Sequence, residues 1–557
     1  MTGPGRADVA ARARDVVRDL LTSPRGEVSP SVYETGRVVA LAPWLSGHGE
    51  RVAYLVATQG TDGTWGPHER YALVPTLSAA DGLLAELTAA RRGDAAGGGP
   101  EAEAVAAAAR RAIRALWRLG DAPGPHGGGA LPDTPAIELI VPALVDSINR
   151  RLRELGPPSA VPLPLPDGAD GTRLAAVRRR LLSGAPVPEK LLHALEVAGD
   201  AAVRAPGVHP SPSGVVGASP AATAAWLGAS GSADSSAACS FLDEVASAHG
   251  GPVPCGVPIT VFERGWALSW LVRAGVPVAV PEELGVSLLG SAEPGGVAAG
   301  PGLPADADTT SVALYALALL GTPKAPDSLW DYHVGPHFCT WRGEEGVSTT
   351  VNAHVLDAFG RYAAAAPRAR PRYAAVMAEL AGWLAARQDD PGSWSDRWHA
   401  SPYYATACCA LALAEFGGAG TAAAVRRAVR WTLETQRDDG SWGLWHGTAE
   451  ETAYALHLLL LTGRRGDVAD ESLDAAARGY AYLRRTERNI GIKSNGREGW
   501  EVFPPMWHDK DLYLPRTIVR AVVTAALHLA QREPAITAWY QAGQRGEPVV
   551  ARSGDHG

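Results

Sequence analysis

The chain has 557 residues and a net charge of -8 at pH 7, with no long basic run. That length exceeds what one hydrophobic core sustains, so more than one domain is expected, and the acidic balance excludes a nucleic-acid partner. Ala, Leu, Gly and Val dominate while Phe, Ile, Lys and Met are scarce, which predicts a mostly helical fold.

The start, MTGPGRADVAARARDVVRDLL, mixes charged and apolar residues as an amphipathic helix does, unlike a secretory signal. No apolar run reaches the length of a membrane span, so a soluble cytoplasmic protein without a transmembrane segment is expected. Further on, the apolar helix RVAYLVATQ ends in a run from Gln59 to Trp65, and the same pattern returns at Gln388 to Trp394 and Gln436 to Trp442. In each, Asp-Gly or Pro-Gly supplies the turn, Ser or Thr can cap the next element, and the Trp can fold back over the helix end. Helix pairs repeated in this way stack into a barrel, because no pair buries its apolar faces alone. Gly- and Pro-rich segments punctuate the middle of the chain; those near 95–100 and 123–129 read as mobile loops.

Next comes Asp306-Ala307-Asp308-Thr309-Thr310, directly before SVALYALALL. By position, Asp308 reads as the cap of that helix, with Thr309 and Thr310 in its first turn. A carboxyl among apolar walls is also hard to ionise, so it can stay protonated at neutral pH and serve as an acid. The residues alone leave cap and acid both open. The five Cys, without metal-ligand spacing, read as reduced and buried. No glycine-rich phosphate loop or dinucleotide fingerprint appears, so NAD and ATP are not expected.

The order of segments resembles that of the class II terpene cyclases, which begin cyclisation by protonating an alkene. SPSVYETGRVVALAPW is similar to the family's S-x-S-x-Y-D/E-T helix, AIELIVPALVD to its G-F-E-hydrophobic-P-x-L segment, and VPEKLLHALE to its L-L-H-S-L-E motif. GASPAATAAWL, GPVPCGVPITVFERGWALSWLVRAG, the acidic run, HFCTWRGEEGVSTTVNAHVLDA and WHDKDLYLPRTIVRA follow in the family's order. The resemblance covers most of the chain. It implies an all-α fold of two α/α double-barrel domains, beta and gamma, without the class I α domain. Residues 1–60 and 262–557 would form beta and 61–261 the inserted gamma, with the active site between them.

The resemblance also implies roles. Asp308 matches the family's general acid, and Asp306 assists it by hydrogen bonding or proton resupply. Family members usually carry Asp where Thr309 stands, so the Thr hydroxyl is expected to orient Asp308; Asn352 is expected to hydrogen-bond Asp308. Glu138 matches a Glu associated with Mg2+, with Asp133 as a possible helper, and magnesium suits one or two carboxylates plus phosphate oxygens. Arg178 and Lys510 would grip a prenyl diphosphate. His193 matches the histidine of a base dyad whose Asn partner is replaced around Cys255. Phe338, Trp341, Tyr403, Tyr404 and Tyr513 are candidates to face carbocations. The DxDTT form resembles that of bacterial drimenyl diphosphate synthases, which implies bicyclisation of farnesyl diphosphate with the diphosphate retained. The alternative is a copalyl-type enzyme acting on geranylgeranyl diphosphate; from other classes, an α/α-barrel glycosidase or a non-catalytic barrel module.

Overall fold

The computed structural model describes residues 4–68, 71–93, 100–121, 131–156, 161–228, 231, 236–290, 295–344, 346–463, 468–489 and 503–545. The fold is all-helical apart from two short hairpins. Most of the segments read as mobile loops, 95–99 and 123–129, lie outside the described residues.

Two closed rings of inner helices form the frame. In the larger ring, Thr260–Arg273, Ala307–Leu319, Thr349–Ala365, Pro402–Phe416, Ala449–Thr462 and Arg516–Gln531 pack each on the next, and the last returns to the first. In the smaller, Val32–Leu41, Leu73–Arg92, Ile137–Leu155, the 3-10 segment Glu189–Ala202 and Pro220–Leu227 close in the same way. Outer helices cover both rings, so each inner helix is apolar nearly all round. A helix buried on every side needs such a sequence; Ala307–Leu319 has eleven buried residues among its thirteen.

The amino-terminal helix Pro4–Thr22 packs on the larger ring, against Thr260–Arg273 and Arg516–Gln531. Val32–Leu41 and His48–Ala57 instead belong to the smaller barrel. The boundary expected at residue 60 is therefore corrected to the link after Thr22. The apolar face of Val32–Leu41 is matched by Leu73–Arg92, where Gly36 and Gly82 let the backbones meet: a Cβ on Gly36 would lie 2.6 Å from the Ser78 carbonyl oxygen.

The repeated Gln/Trp turns are staples within the barrels. Trp65, Trp394 and Trp442 are buried, and each indole N–H donates back to the preceding helix, to the carbonyls of Leu55, Leu384 and Thr432. Gln436 Nε2 donates to Gly440 O at 3.0 Å and to Ala475 O at 2.8 Å, tying the turn to the next outer helix; Gln59 and Gln388 repeat the pattern. Gly440 has a φ of +87°, and a Cβ there would sit 2.7 Å from the Arg478 carbonyl, so the turn needs glycine.

Inner helices start at side-chain caps. Ser31, Ser219, Ser348, Ser401 and Thr448 each accept a hydrogen bond from a first-turn N–H, and Asp306 does the same for Ala307–Leu319. A carboxyl takes this place at one helix of these six.

Candidate active site

Asp306 is set by a hairpin. Val297–Ala298 pairs antiparallel with Ala305–Asp306, with Val297 opposite Asp306. Thr310 Oγ1 fastens the hairpin to the helix by accepting from Val297 N at 2.8 Å, and Gly296 leaves the room, since a Cβ there would lie 2.4 Å from that oxygen. The cap therefore falls on Asp306, whose Oδ1 accepts from Thr309 N at 2.6 Å. The expectation of Asp308 as cap is corrected: strand pairing keeps Asp306 extended, and Asp308 is already inside the first turn. Thr309, expected to orient Asp308, braces Asp306 instead.

Burial, helped by the neighbouring Asp308 carboxyl, pushes the pKa of Asp306 up to about 8 against the Thr309 hydrogen bond. Asp306 is thus mostly neutral at pH 7. Asp308 is also raised by burial, although His354 opposes this from 2.6 Å, Nδ1 to Oδ1. Burial lowers His354, but the Asp308 carboxyl and the hydrogen bonds together outweigh it and hold the imidazole well above its usual range. An imidazole N–H fixed on one carboxyl oxygen leaves the other to carry a proton, and it stabilises the carboxylate once that proton is given up. The side chain of Asp308 keeps 14% exposure, an open face for a substrate.

His354 is the residue that sequence reasoning missed. Asn352, the expected partner, sits two positions earlier on the same helix, and its amide is spent on the backbone of Phe338 and Ser348. Helical rotation over two residues turns the two side chains to different faces. The signal lay in the run NAHVL, where a histidine followed the asparagine.

Aromatic rings gather beside the acid. Tyr404 accepts from the Trp266 indole at 2.8 Å, and its ring lies 4.9 Å from Trp507, 4.8 Å from His399 and 6.5 Å from His354. Phe262 packs 4.2 Å from Trp266. Tyr404 and Tyr513 both lie within reach of the Asp308 charge. Trp266, Trp507 and Phe262 were not singled out from sequence. Trp341 lies edge-on to Trp398. Phe338 and Tyr403 are corrected to core: Phe338 packs on His333 and Phe359, and Tyr403 on Trp431.

A second polar group lies across Tyr513, which is in reach of Asp509 as well as Asp308. Here the hairpin Trp507–His508 with Leu512–Tyr513 carries Asp509, Lys510 and Asp511 in its turn. His193 binds Gly217 O through Nδ1 at 2.6 Å and Asp509 Oδ1 through Nε2 at 2.7 Å, so Asp509 stands as the partner sought around Cys255. Burial disfavours its charge, but His193 and Lys510 outweigh that and hold Asp509 down at about 2; His193 is raised in turn. Both ring nitrogens of His193 are thereby occupied.

Lys510 does not reach a ligand. Its ammonium is fully enclosed, paired with Glu34 and with Glu196 at 3.0 Å, and donates to Ser219 Oγ and His193 O. The expectation that it grips a diphosphate is corrected: three donors are matched by protein acceptors, and the residue joins the two barrels. Arg178 donates to Val197 O at 3.2 Å while its buried Nε has no partner, leaving donors to spare. Glu138, in the first turn of Ile137–Leu155, has a half-exposed side chain 3.8 Å from Arg173. Asp133 is tied to Arg397 at 3.0 Å. Among the described residues, no cluster of three or more acidic, His or Cys side chains could hold a metal, and no helix is long and apolar enough to cross a membrane.

Known proteins match this arrangement. Residues 345–513 match the squalene-hopene cyclase C-terminal domain family. The chain is 42% identical to an ent-copalyl diphosphate synthase of Streptomyces sp. (strain KO-3988), over 94% of this chain and 97% of the relative. It is 39% identical to a labda-7,13-dienyl diphosphate synthase of Streptomyces clavuligerus, over 96% and 95%. The solved ent-copalyl diphosphate synthase from Streptomyces platensis superposes with a TM-score of 0.84 at 42% identity, covering 95% of this chain and 99% of that one. With nearly full-length relatives at this identity, an all-helical double barrel and a buried, cap-supported acid, the chain belongs to the class II terpene cyclase family.

Proposed function

We propose that this enzyme protonates the terminal alkene of geranylgeranyl diphosphate and closes a bicyclic skeleton with the diphosphate retained, the copalyl-type reaction. The observation that carries the chemistry is Asp308, raised by burial, hydrogen-bonded by His354 and flanked by the Tyr404, Trp266 and Trp507 rings. Protonating an alkene needs a dry acid with a stabilised conjugate base, and the cation that forms needs aromatic faces and no nucleophile. Relatives named as copalyl and labdadienyl diphosphate synthases favour the C20 substrate. Farnesyl diphosphate, which the DxDTT resemblance favoured, has weaker support because Thr309 acts on Asp306 here rather than on the acid. No glycosidase stands among these relatives.

In this reading the proton leaves the bicyclic cation at the far end of the site, where Asp509 holds acceptor lone pairs beside His193. His193 alone offers no free nitrogen, so the pair is the base. Arg178 contributes to holding the diphosphate. Glu138 fits a magnesium ion carried in by the substrate, since one accessible carboxylate plus phosphate oxygens is a usual magnesium shell. When bound, magnesium would neutralise diphosphate charge. Incubation with geranylgeranyl and farnesyl diphosphates plus Mg2+, then phosphatase treatment, should give a bicyclic C20 alcohol. A bicyclic C15 alcohol alone would reassign the substrate, and linear alcohols from both would overturn the reading.

A further inference from the structure

The larger barrel holds a small cavity behind the acid, inside the inner ring, that the cyclisation itself does not use. It is lined among others by Ser269, Arg273, Tyr315, His354, Asp357 and Cys408. The Ser269 and Tyr315 hydroxyls are buried and have no hydrogen-bond partner in the protein. Two unpaired hydroxyls facing one cavity suit water rather than hydrocarbon. A guanidinium in the wall also rules the cavity out as a seat for a carbocation: Arg273 binds Asp357 at 2.9 Å and Glu415 at 3.4 Å.

His354 stands between this cavity and the acid. Its Nδ1 holds Asp308, and its ring also meets Cys408 on the cavity side. Asp357 lies three residues further along the same helix, so it shares the cavity-facing side. Beyond Asp357, Arg273 leads to Glu415, whose side chain is 38% exposed and also pairs with Arg361. A polar line therefore runs from solvent to the back of Asp308 through the barrel.

The geometry points to this line as the route that recharges the acid between turnovers. It rests on the reading of Asp308 as the donor. Each turnover moves the Asp308 proton to an alkene carbon, while the proton lost by the product cation leaves at the other end of the site. One proton must therefore return to Asp308 from solvent. It enters at Glu415, crosses the cavity by the Tyr315 and Ser269 hydroxyls and water, and is taken up by the imidazole nitrogen away from Asp308. The Nδ1 proton then passes to the Asp308 carboxylate, which restores the acid and a neutral imidazole. Arg273 stays charged throughout and acts by orienting Asp357 and Glu415.

The test is rapid-quench kinetics of full-length Tyr315→Phe and Ser269→Ala, singly and together, with geranylgeranyl diphosphate and Mg2+. The first turnover, run on protonated enzyme, should match wild type. Later turnovers should slow by about tenfold or more, with KM unchanged and a larger solvent deuterium isotope effect on kcat. Wild-type kcat in the double variant would overturn the route, as would a first turnover slowed as much as the later ones. Failure of the acid reading is seen separately, as a first turnover that survives Asp308→Asn.

Discussion

Two Asp-x-Asp runs, Asp306-Ala307-Asp308 and Asp509-Lys510-Asp511, are each placed by a two-stranded hairpin at the edge of the site. Asp509 has a histidine and a lysine beside it and is held down at about 2. Asp306 has only N–H and hydroxyl donors beside it and is pushed up to about 8. Asp511 makes the comparison instructive, because it belongs to the second run yet receives only Ser31 Oγ and Tyr33 N, and burial lifts it to about 7. The sequence motif does not decide whether a carboxyl stays neutral. What decides it is whether a cation reaches the carboxyl after burial has raised it.

The largest expected effect breaks the first run. Asp308→Asn keeps the shape and removes the proton, so kcat should fall by about 10³-fold or more with the circular dichroism spectrum unchanged. A variant within tenfold of wild type would place the acid elsewhere.

The second run should respond in stability instead. Lys510→Met leaves Glu34 and Glu196 buried without their cation, a change that costs about 3–5 kcal/mol. Denaturant unfolding reads it, and a loss under 1 kcal/mol would mean that the two glutamates take up protons cheaply.

A pH titration sharpens the comparison. Asp306 has a folded pKa of about 8 against 3.8 for a free carboxyl. Its stabilising contribution is therefore complete below 3.8 and is lost as pH rises through about 8. Activity that needs a neutral Asp306 should fall over the same upper limb, by roughly tenfold per pH unit above it. Asp306→Asn should abolish that alkaline limb, and an unchanged limb would assign it to another group.

The smallest effect concerns the staples. Gln436→Ala removes two hydrogen bonds to backbone carbonyls and should cost about 1–3 kcal/mol with kcat unaltered. Loss of activity at full stability would contradict a structural role for the Gln/Trp turns.

These regions also differ in how much the sequence revealed. The Gln/Trp turns were legible because their partners are local and the pattern repeats: Gln436, Gly440 and Trp442 lie within seven residues. The helices, the barrel class and the acidic run followed from apolar patterning and from the family's order of segments. His354 and Asp509 were not found, since their partnerships cross 46 and 316 residues and the side chain that faces a distant carboxyl depends on helix rotation. Lys510 was misread for a related reason. A cation near a diphosphate enzyme's closing motif suggests a ligand, while the two glutamates that enclose it come from the other barrel. The boundary at residue 60 failed because Val32–Leu41 is as apolar as a helix of either ring.

Turnover of geranylgeranyl diphosphate in D2O tests the central claim most directly, because the proton that starts cyclisation comes from Asp308 and Asp308 is recharged from solvent. The bicyclic product should carry a single non-exchangeable deuterium, and none should form with Asp308→Asn. A bicyclic product free of deuterium, or one still labelled in that variant, would contradict it.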